Sequence, residues 1–128
     1  MDVISHYLDA GFEWIVWTDI DILFVNFKES FIGKWLDKAG PEHHVALVSE
    51  CIAESPALFS TVRSGFLAFR NTPKSRAFLA YWKNSHELFQ NNANPDQEGL
   101  EFMVTQYPWK SMVYIAPPDG IHTYSDCT

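Results

Sequence analysis

Basic residues and cysteines are scarce in this sequence, and each scarcity excludes a class of protein. Nine lysines and arginines stand against sixteen aspartates and glutamates, so the 128-residue chain has a formal net charge of −7. Nucleic acid or an anionic membrane surface would be repelled at most approaches, and a polyanionic ligand would need a local cation. Cys51 and Cys127 are too few for a disulfide framework and lack the spacing of a metal-binding cysteine motif.

Long apolar runs are absent as well. No stretch approaches the ~20 residues of a membrane span, and five acidic residues fall within the first 25 positions, which excludes a secretory signal peptide there. The sequence therefore predicts a soluble chain with no membrane segment. With 47% hydrophobic and 16% aromatic residues, the chain is long enough for one packed domain and too short for two, so we expect a single domain over residues 1–128.

Helical and strand patterns alternate along the chain, which favours an α/β domain with a largely parallel or mixed sheet. Caps, glycines and prolines mark the boundaries of the helices. The predicted strands cover residues 13–18, 44–49, 62–70 and 111–116. The first two predicted helices cover residues 3–10 and a segment from Phe31 that stops at 39–41. A third helix is capped by Thr72 and has Pro73 as its first residue, and a fourth runs from Asn94 to about Gln106, with Gln97 closing a capping box.

Two carboxylates interrupt the apolar run WIVWTDIDILFV, which covers residues 14–25. A carboxylate in such surroundings is costly unless a cation, hydrogen-bond donors or solvent compensate it. If Asp19 and Asp21 are extended, their side chains share one side of the chain, ~7 Å apart at Cα, and can hold one divalent ion. Oxygen ligands select Mn²⁺ or Mg²⁺, and ligands bind beyond the carboxyl ends of strands in open α/β sheets. Two aspartates at this spacing are also common where aspartate side chains cap a loop or turn. Other residues must therefore distinguish a metal site from a capped loop.

Three segments follow one another in a recognisable order: WIVWTDIDILFVN, VRSGFLAFRNTPKSRAFLAYW and NPDQEGLEFMV. Together they resemble the core of GT-A-type nucleotide-sugar glycosyltransferases, in particular the retaining galactosyl-, xylosyl- and related hexosyltransferases. The resemblance covers nearly all of residues 12–124. It implies a GT-A (Rossmann-like) mixed sheet flanked by helices, of which this chain carries the carboxyl-terminal catalytic part and lacks the amino-terminal nucleotide-binding half.

The resemblance also implies an activity. This is metal-dependent transfer of a hexose or pentose, with retention, from a nucleotide diphosphate sugar (a UDP-sugar foremost) to a hydroxyl of a glycan or glycoprotein. A full-length protein that follows the family would work in the Golgi or secretory lumen. The implied site residues are Asp19, Asp21 and His122 as ligands of Mn²⁺ (or Mg²⁺), Asp19, Asp21, Ser64 and Gly65 around the donor, and Asp96 and Gln97 as catalytic groups.

Each of these residues has a purely structural explanation as well. Gly65 suits a strand bulge, Asp96 is favoured by the dipole of its helix, and Gln97 fits a capping box. Trp109, in a loop between Pro108 and Lys110, is the tryptophan that we predict to contact the acceptor. Core packing explains the other four, which are Trp14, Trp17, Trp35 and Trp82.

Two alternative functions remain open. A haloacid-dehalogenase-type phosphatase would use Asp19 as nucleophile and Asp21 as acid/base, but it needs a lysine and a further acidic pair, for which only the poorly spaced Asp119 and Asp126 offer themselves. An inactive domain that binds carbohydrate or a partner enzyme is the second alternative. If the chain is the catalytic half of a longer transferase, its edge strands are exposed and predict aggregation.

Overall fold

The computed structural model describes residues 2–22, 24, 30–49 and 62–117. Four α-helices and four β-strands are present in this part of the chain, and a short 3-10 helix precedes the last strand. The elements are α1 (Asp2–Asp9), β1 (Trp14–Thr18), α2 (Phe31–Asp37), β2 (Val45–Ser49), β3 (Val62–Arg70), α3 (Pro73–Phe89), α4 (Pro95–Thr105), the 3-10 helix (Trp109–Met112) and β4 (Val113–Ala116).

The four strands form one open mixed sheet in the order β1-β3-β2-β4. β3 runs antiparallel to both of its neighbours: Thr18 lies opposite Phe66 at the end of β1, and Leu47 of β2 lies opposite Leu67. β2 and β4 are parallel. The predicted α/β domain with a mixed, helix-flanked sheet is therefore confirmed.

Helices cover both faces of the sheet. On one face, Leu47 and Leu67 belong to the larger core, which includes residues of α1, α3 and α4. On the opposite face, Phe66 and Ala68 pack with Trp35 of α2. Because successive strand residues point to opposite faces, a strand covered on both sides is buried at every position, as β2 is.

The N-terminus of α3 follows the sequence prediction in detail. Thr72 is the N-cap and its side chain accepts a hydrogen bond from the Ser75 N–H, while Pro73 occupies the first helical position, where no intrahelical N–H is needed. The Ser75 hydroxyl in turn accepts from the Thr72 N–H, which completes a capping box. Local sequence alone specifies where this helix begins.

Two predictions near α4 are wrong. The expected strand over 111–116 is shorter, because its first residues belong to the 3-10 helix and β4 begins only at Val113. Gln97 does not close a capping box, and the N-cap Asn94 makes no side-chain capping bond. The reason is that the Gln97 amide hydrogen-bonds with the main chain of β3 instead.

Within residues 2–22, 30–49 and 62–117, β1 and β4 are the outermost strands of the sheet. The aggregation expected of unpaired edges stays a prediction. Within the same ranges, every helix is too short or too polar to cross a bilayer.

His44 connects the start of β2 to the N-terminus of α3, since its Nδ1 atom lies 3.0 Å from Thr72 Oγ1. Burial, and then the charges of Lys74, Arg70 and His43, lowers the pKa of His44 below its ordinary value of 6.5. The unfolded chain therefore takes up the proton at a higher pH than the folded chain. We expect this contribution to stability to be fully present above about pH 6.5 and to be lost as the pH falls towards the lower pKa of the folded state.

Urea unfolding at a series of pH values checks this expectation, with His44→Gln as the test variant and the exposed His6→Gln as its control. The free energy of unfolding should depend less on pH in His44→Gln than in wild type or His6→Gln. An unchanged pH dependence in His44→Gln would contradict the assigned role.

Candidate functional site

Asp19 is the first residue after β1, and its main chain fixes where the strand ends. Its N–H donates to the carbonyl of Gly65 at 2.8 Å, one step beyond the last paired residues of β1 and β3. The chain then turns, because the Ile22 N–H donates back to the Asp19 carbonyl at 3.3 Å. Ile20 and Asp21 occupy this turn. The condition that Asp19 and Asp21 are both extended is therefore not met, since the turn ends the alternation of side chains between them.

The Asp19 carboxylate is held between a tryptophan and a glycine. Its Oδ1 atom accepts a hydrogen bond from the Trp17 Nε1–H at 3.2 Å. Its Oδ2 atom lies against Gly65, where an added Cβ atom would come within 2.8 Å of it. The resemblance places Gly65 beside the donor. In the structure, the group that makes this close approach is the carboxylate of Asp19.

Gln97, in the first turn of α4, attaches that helix to β3. Its Oε1 atom accepts from the Ser64 N–H at 2.8 Å, and its Nε2 atom donates to the Val62 carbonyl and, at 2.8 Å, to Glu101 Oε1. The amide thus pairs with main-chain groups of β3 that lie beyond the end of β1. Both ends of the Gln97 amide are engaged, and its predicted catalytic role stays a prediction.

Asp96 presents a largely exposed carboxylate beside Gln97. Its Oδ1 atom lies 4.0 Å from His86 Nε2 of α3, and its side chain is 58% exposed. Its main-chain carbonyl accepts a hydrogen bond from the Trp82 Nε1–H at 2.8 Å. The N-terminal end of α4 is therefore attached to α3 by the Trp82 indole and to β3 by Gln97.

Two adjoining clefts lie at the end of β1. The narrower one, about 180 Å³, brings together groups from β1, β3, α1, α3 and α4, and its described lining is Ile4, Trp17, Asp19, Ser64, Trp82 and Asp96. The wider one, about 700 Å³, is lined by residues 17–22 and so contains Asp21. Since Trp17 and Asp19 line both clefts, the two are neighbours. The structure thus places Asp19, Ser64 and Asp96 around one cleft and Asp21 around the next.

The lining of the two clefts favours cations over anions. Their described residues include three carboxylates but no lysine or arginine. In the described ranges, no group of three His, Cys, Asp or Glu side chains converges. Asp19 and Asp21 supply hard oxygen atoms that suit Mn²⁺ or Mg²⁺. His122, the predicted third ligand, lies outside the described residues.

Trp109 lies in the 3-10 helix and packs against α3. Its ring is 5.7 Å from that of Phe78 and 5.3 Å from that of Tyr81, measured between centroids, and it adjoins the larger core. It is not among the described residues that line the two clefts. Its predicted contact with an acceptor stays a prediction, and packing accounts for its position.

Sequence reasoning missed Trp17 and His86, and it assigned Trp82 to packing alone although Trp82 also lines the narrower cleft. Trp17 was assigned to the core, yet 36% of it is exposed and it lines both clefts, so that assignment is wrong. Its position two residues before Asp19, near the end of β1, is a usable signal, because extended residues two apart share a face. His86 gave no signal, since only the packing of α3 against α4 brings it near Asp96.

Comparison with known proteins adds no family to this description. The sequence matches no protein-family model, and a search among curated proteins finds no relative.

Substitution of Gly65 by alanine should disturb the Asp19 carboxylate more than the fold. The new Cβ would meet Oδ2 at 2.8 Å and Cγ at 3.2 Å, so the carboxylate must move. We expect Gly65→Ala to weaken Mn²⁺ binding by about tenfold, as displaced ligands usually do, in a titration followed by calorimetry.

Gly40→Ala is the matched control, because a Cβ there would also meet a carboxylate, that of the exposed Glu42, at 2.5 Å. Mn²⁺ affinity should be unchanged in this variant. Equal affinities of wild type and Gly65→Ala would show that the position of Asp19 does not matter for metal binding.

Gln97→Glu should destabilise the domain. The new carboxylate keeps the bond from the Ser64 N–H but donates nothing to the Val62 carbonyl and repels Glu101. We expect a loss of about 2 kcal/mol in the free energy of unfolding, measured with urea. Asn84→Asp, the same change at an exposed position of α3, should alter it by less than about 0.5 kcal/mol. Similar stabilities of Gln97→Glu and wild type would contradict the role of Gln97 as a structural link.

Proposed function

We propose that this domain is the catalytic part of a divalent-metal-dependent glycosyltransferase of GT-A type, which transfers a hexose or pentose from a nucleotide diphosphate sugar to a hydroxyl of a glycan or glycoprotein. One observation carries the proposal: the three motif segments, which are far apart in the sequence, are joined by direct hydrogen bonds at the end of β1. The Asp19 N–H bonds to the Gly65 carbonyl, and the Ser64 N–H bonds to Gln97 Oε1.

This convergence is what a donor site needs. Motif residues that served only local purposes, such as a loop cap or a helix cap, would have no reason to meet. Here Asp19, Ser64 and Asp96 line one cleft, and Asp21 lines the next. Ligands of α/β proteins commonly bind where strands end and loops begin, and the narrower cleft lies at such a place, at the end of β1.

The lining of the narrower cleft supports a sugar as the bound group. The rings of Trp17 and Trp82 offer apolar surface, which suits the C–H face of a pyranose or furanose. The side chains of Asp19, Ser64 and Asp96 offer hydrogen-bond acceptors or a hydroxyl to the sugar's own hydroxyl groups. Asp96 is then the hydrogen-bond acceptor for a sugar hydroxyl. Gln97 keeps Asp96 in place because it attaches α4 to β3.

The charge of the chain makes a cation a requirement for this function. A protein of net charge −7, with carboxylates around the clefts, repels a diphosphate unless a divalent ion lies between them. Asp19 and Asp21 would hold Mn²⁺ or Mg²⁺. When bound, the ion supplies charge neutralisation for the departing diphosphate. An amide such as that of Gln97 is a poor nucleophile, so attack from the same face, with retention, is favoured over a covalent intermediate.

Thermal unfolding with Mn²⁺ and UDP tests the proposal. At a free ligand concentration of about 100 times its Kd, binding adds about 2.7 kcal/mol to the free energy of unfolding. We expect Mn²⁺ to raise the Tm and UDP to raise it further only when Mn²⁺ is present. Asp19→Asn and Asp21→Asn should abolish both effects, and Asp37→Asn, at an exposed position of α2, should retain them.

Other outcomes decide against a transferase. Metal-dependent hydrolysis of a simple phosphate ester, abolished by Asp19→Asn, would favour the phosphatase. No response to Mn²⁺, to UDP or to both together would favour an inactive binding domain.

A further inference from the structure

We infer that Trp17 is the positioning residue for Asp19 in the metal site, and that its indole N–H sets the affinity of that site for a divalent ion. The inference rests on the proposed function. It concerns a residue that neither the motifs nor the sequence pattern assigned to the site.

The direction of the contact between the two side chains is unambiguous. An indole nitrogen donates and never accepts, so the 3.2 Å contact is a hydrogen bond from Trp17 Nε1–H to Asp19 Oδ1. The carboxylate keeps further lone pairs on both oxygens, which a metal ion can use. The indole thus orients the carboxylate without occupying all of its acceptor capacity.

The other contacts of Asp19 leave its orientation to Trp17. The main chain of Asp19 is anchored by its bond to the Gly65 carbonyl, which fixes where the side chain begins. Oδ2 lies over Gly65, in the space that a Cβ atom there would fill, and glycine has no side-chain donor to offer it. The Trp17 indole N–H bonds to the other oxygen, Oδ1. The main-chain bond thus fixes where the side chain begins, and the indole is the side-chain donor that orients the carboxylate.

The exposure of Trp17 also sets it apart from the tryptophans of the core. Trp35 and Trp82 are 3% and 5% exposed, whereas 36% of Trp17 is open to solvent. A large aromatic side chain left this exposed gains less from packing than the other two. Its ring instead stands between the two clefts, next to the carboxylate that both clefts share. Hydrogen-bond donation to Asp19 accounts for a tryptophan at this position better than burial does.

Groups that hydrogen-bond to a metal ligand commonly determine how well that ligand binds. They fix its orientation before the ion arrives, and their loss typically costs ~10–100-fold in metal affinity. Trp17→Phe removes the N–H while it keeps an aromatic ring in the wall of the clefts. We therefore expect Trp17→Phe to bind Mn²⁺ about tenfold more weakly than wild type.

Trp14→Phe is the matched control. Trp14 lies on the same strand, but it packs on the opposite face of the sheet, beneath the guanidinium of Arg70 at 4.6 Å from the ring centroid. The chemical change is identical, so any general effect of losing an indole from β1 appears in both variants. Thermal unfolding of both variants without metal separates a loss of stability from a loss of affinity.

The experiment is a Mn²⁺ titration in which the electron paramagnetic resonance signal of the free ion reports binding. Wild type and Trp14→Phe should bind alike, Trp17→Phe about tenfold more weakly, and Asp19→Asn not at all. One outcome is that wild type binds Mn²⁺, that Asp19→Asn does not bind it, and that Trp17→Phe has the same affinity as Trp14→Phe. In that case the inference fails and the proposed metal site stands. If wild type itself does not bind, the metal site fails and takes the inference with it.

A second measurement needs no substitution. In the ¹⁵N-labelled wild-type protein, each tryptophan contributes one assigned indole N–H resonance, and bound Mn²⁺ broadens the nearest ones first. We expect substoichiometric Mn²⁺ to broaden the Trp17 signal before those of Trp14 and Trp35. Equal broadening of the three signals, or earlier broadening of Trp14, would overturn the inference even if Trp17→Phe proved too unstable to titrate.

Discussion

The main-chain groups at the start of β3 impose the constraint on which the site depends. Among the described residues, the paired positions of β1 and β3 end at Phe66, so Ser64 and Val62 have no partner in β1, although Val62 lies opposite Ser49 of β2. Polar main-chain groups that are left unpaired are costly wherever water is excluded. The Gln97 amide accepts from the Ser64 N–H and donates to the Val62 carbonyl. This pairing attaches α4 to the sheet and thereby places Asp96 opposite the end of β1.

Features with a local cause could be predicted from the sequence, and features that need a distant partner could not. The bounds of β3, predicted at 62–70, and the cap of α3, predicted from Thr72-Pro73, both agree with the structure. Gln97 looked like part of a local capping box because its distant partners, Val62 and Ser64, leave no trace in the helix pattern. Two carboxylates on one side of an extended segment require both Asp19 and Asp21 to be extended, but a turn begins at Asp19 itself.

The candidate site shows the same division. Asp19, Ser64 and Asp96 were identified from their motifs, and the structure brings them to one cleft. The two tryptophans that complete the lining were assigned to packing alone, because a large aromatic residue in a strand or helix is most often part of a core. Trp82 has both roles. It is buried in the larger core, and its indole N–H donates to the carbonyl of Asp96 beside the cleft. One side chain can therefore stabilise the fold and shape the cleft.

The pairing of β1 with β3 has a consequence for folding. These strands are separated in the sequence by α2 and β2, so their contact closes a long loop and raises the contact order of the domain. Such contacts form slowly, because the entropy of loop closure must be overcome first. Asp19 meets Gly65 only through this pairing. A partly folded chain that has formed its helices but not this pairing lacks the contact between Asp19 and Gly65, so the proposed metal site would be complete only once the sheet is complete.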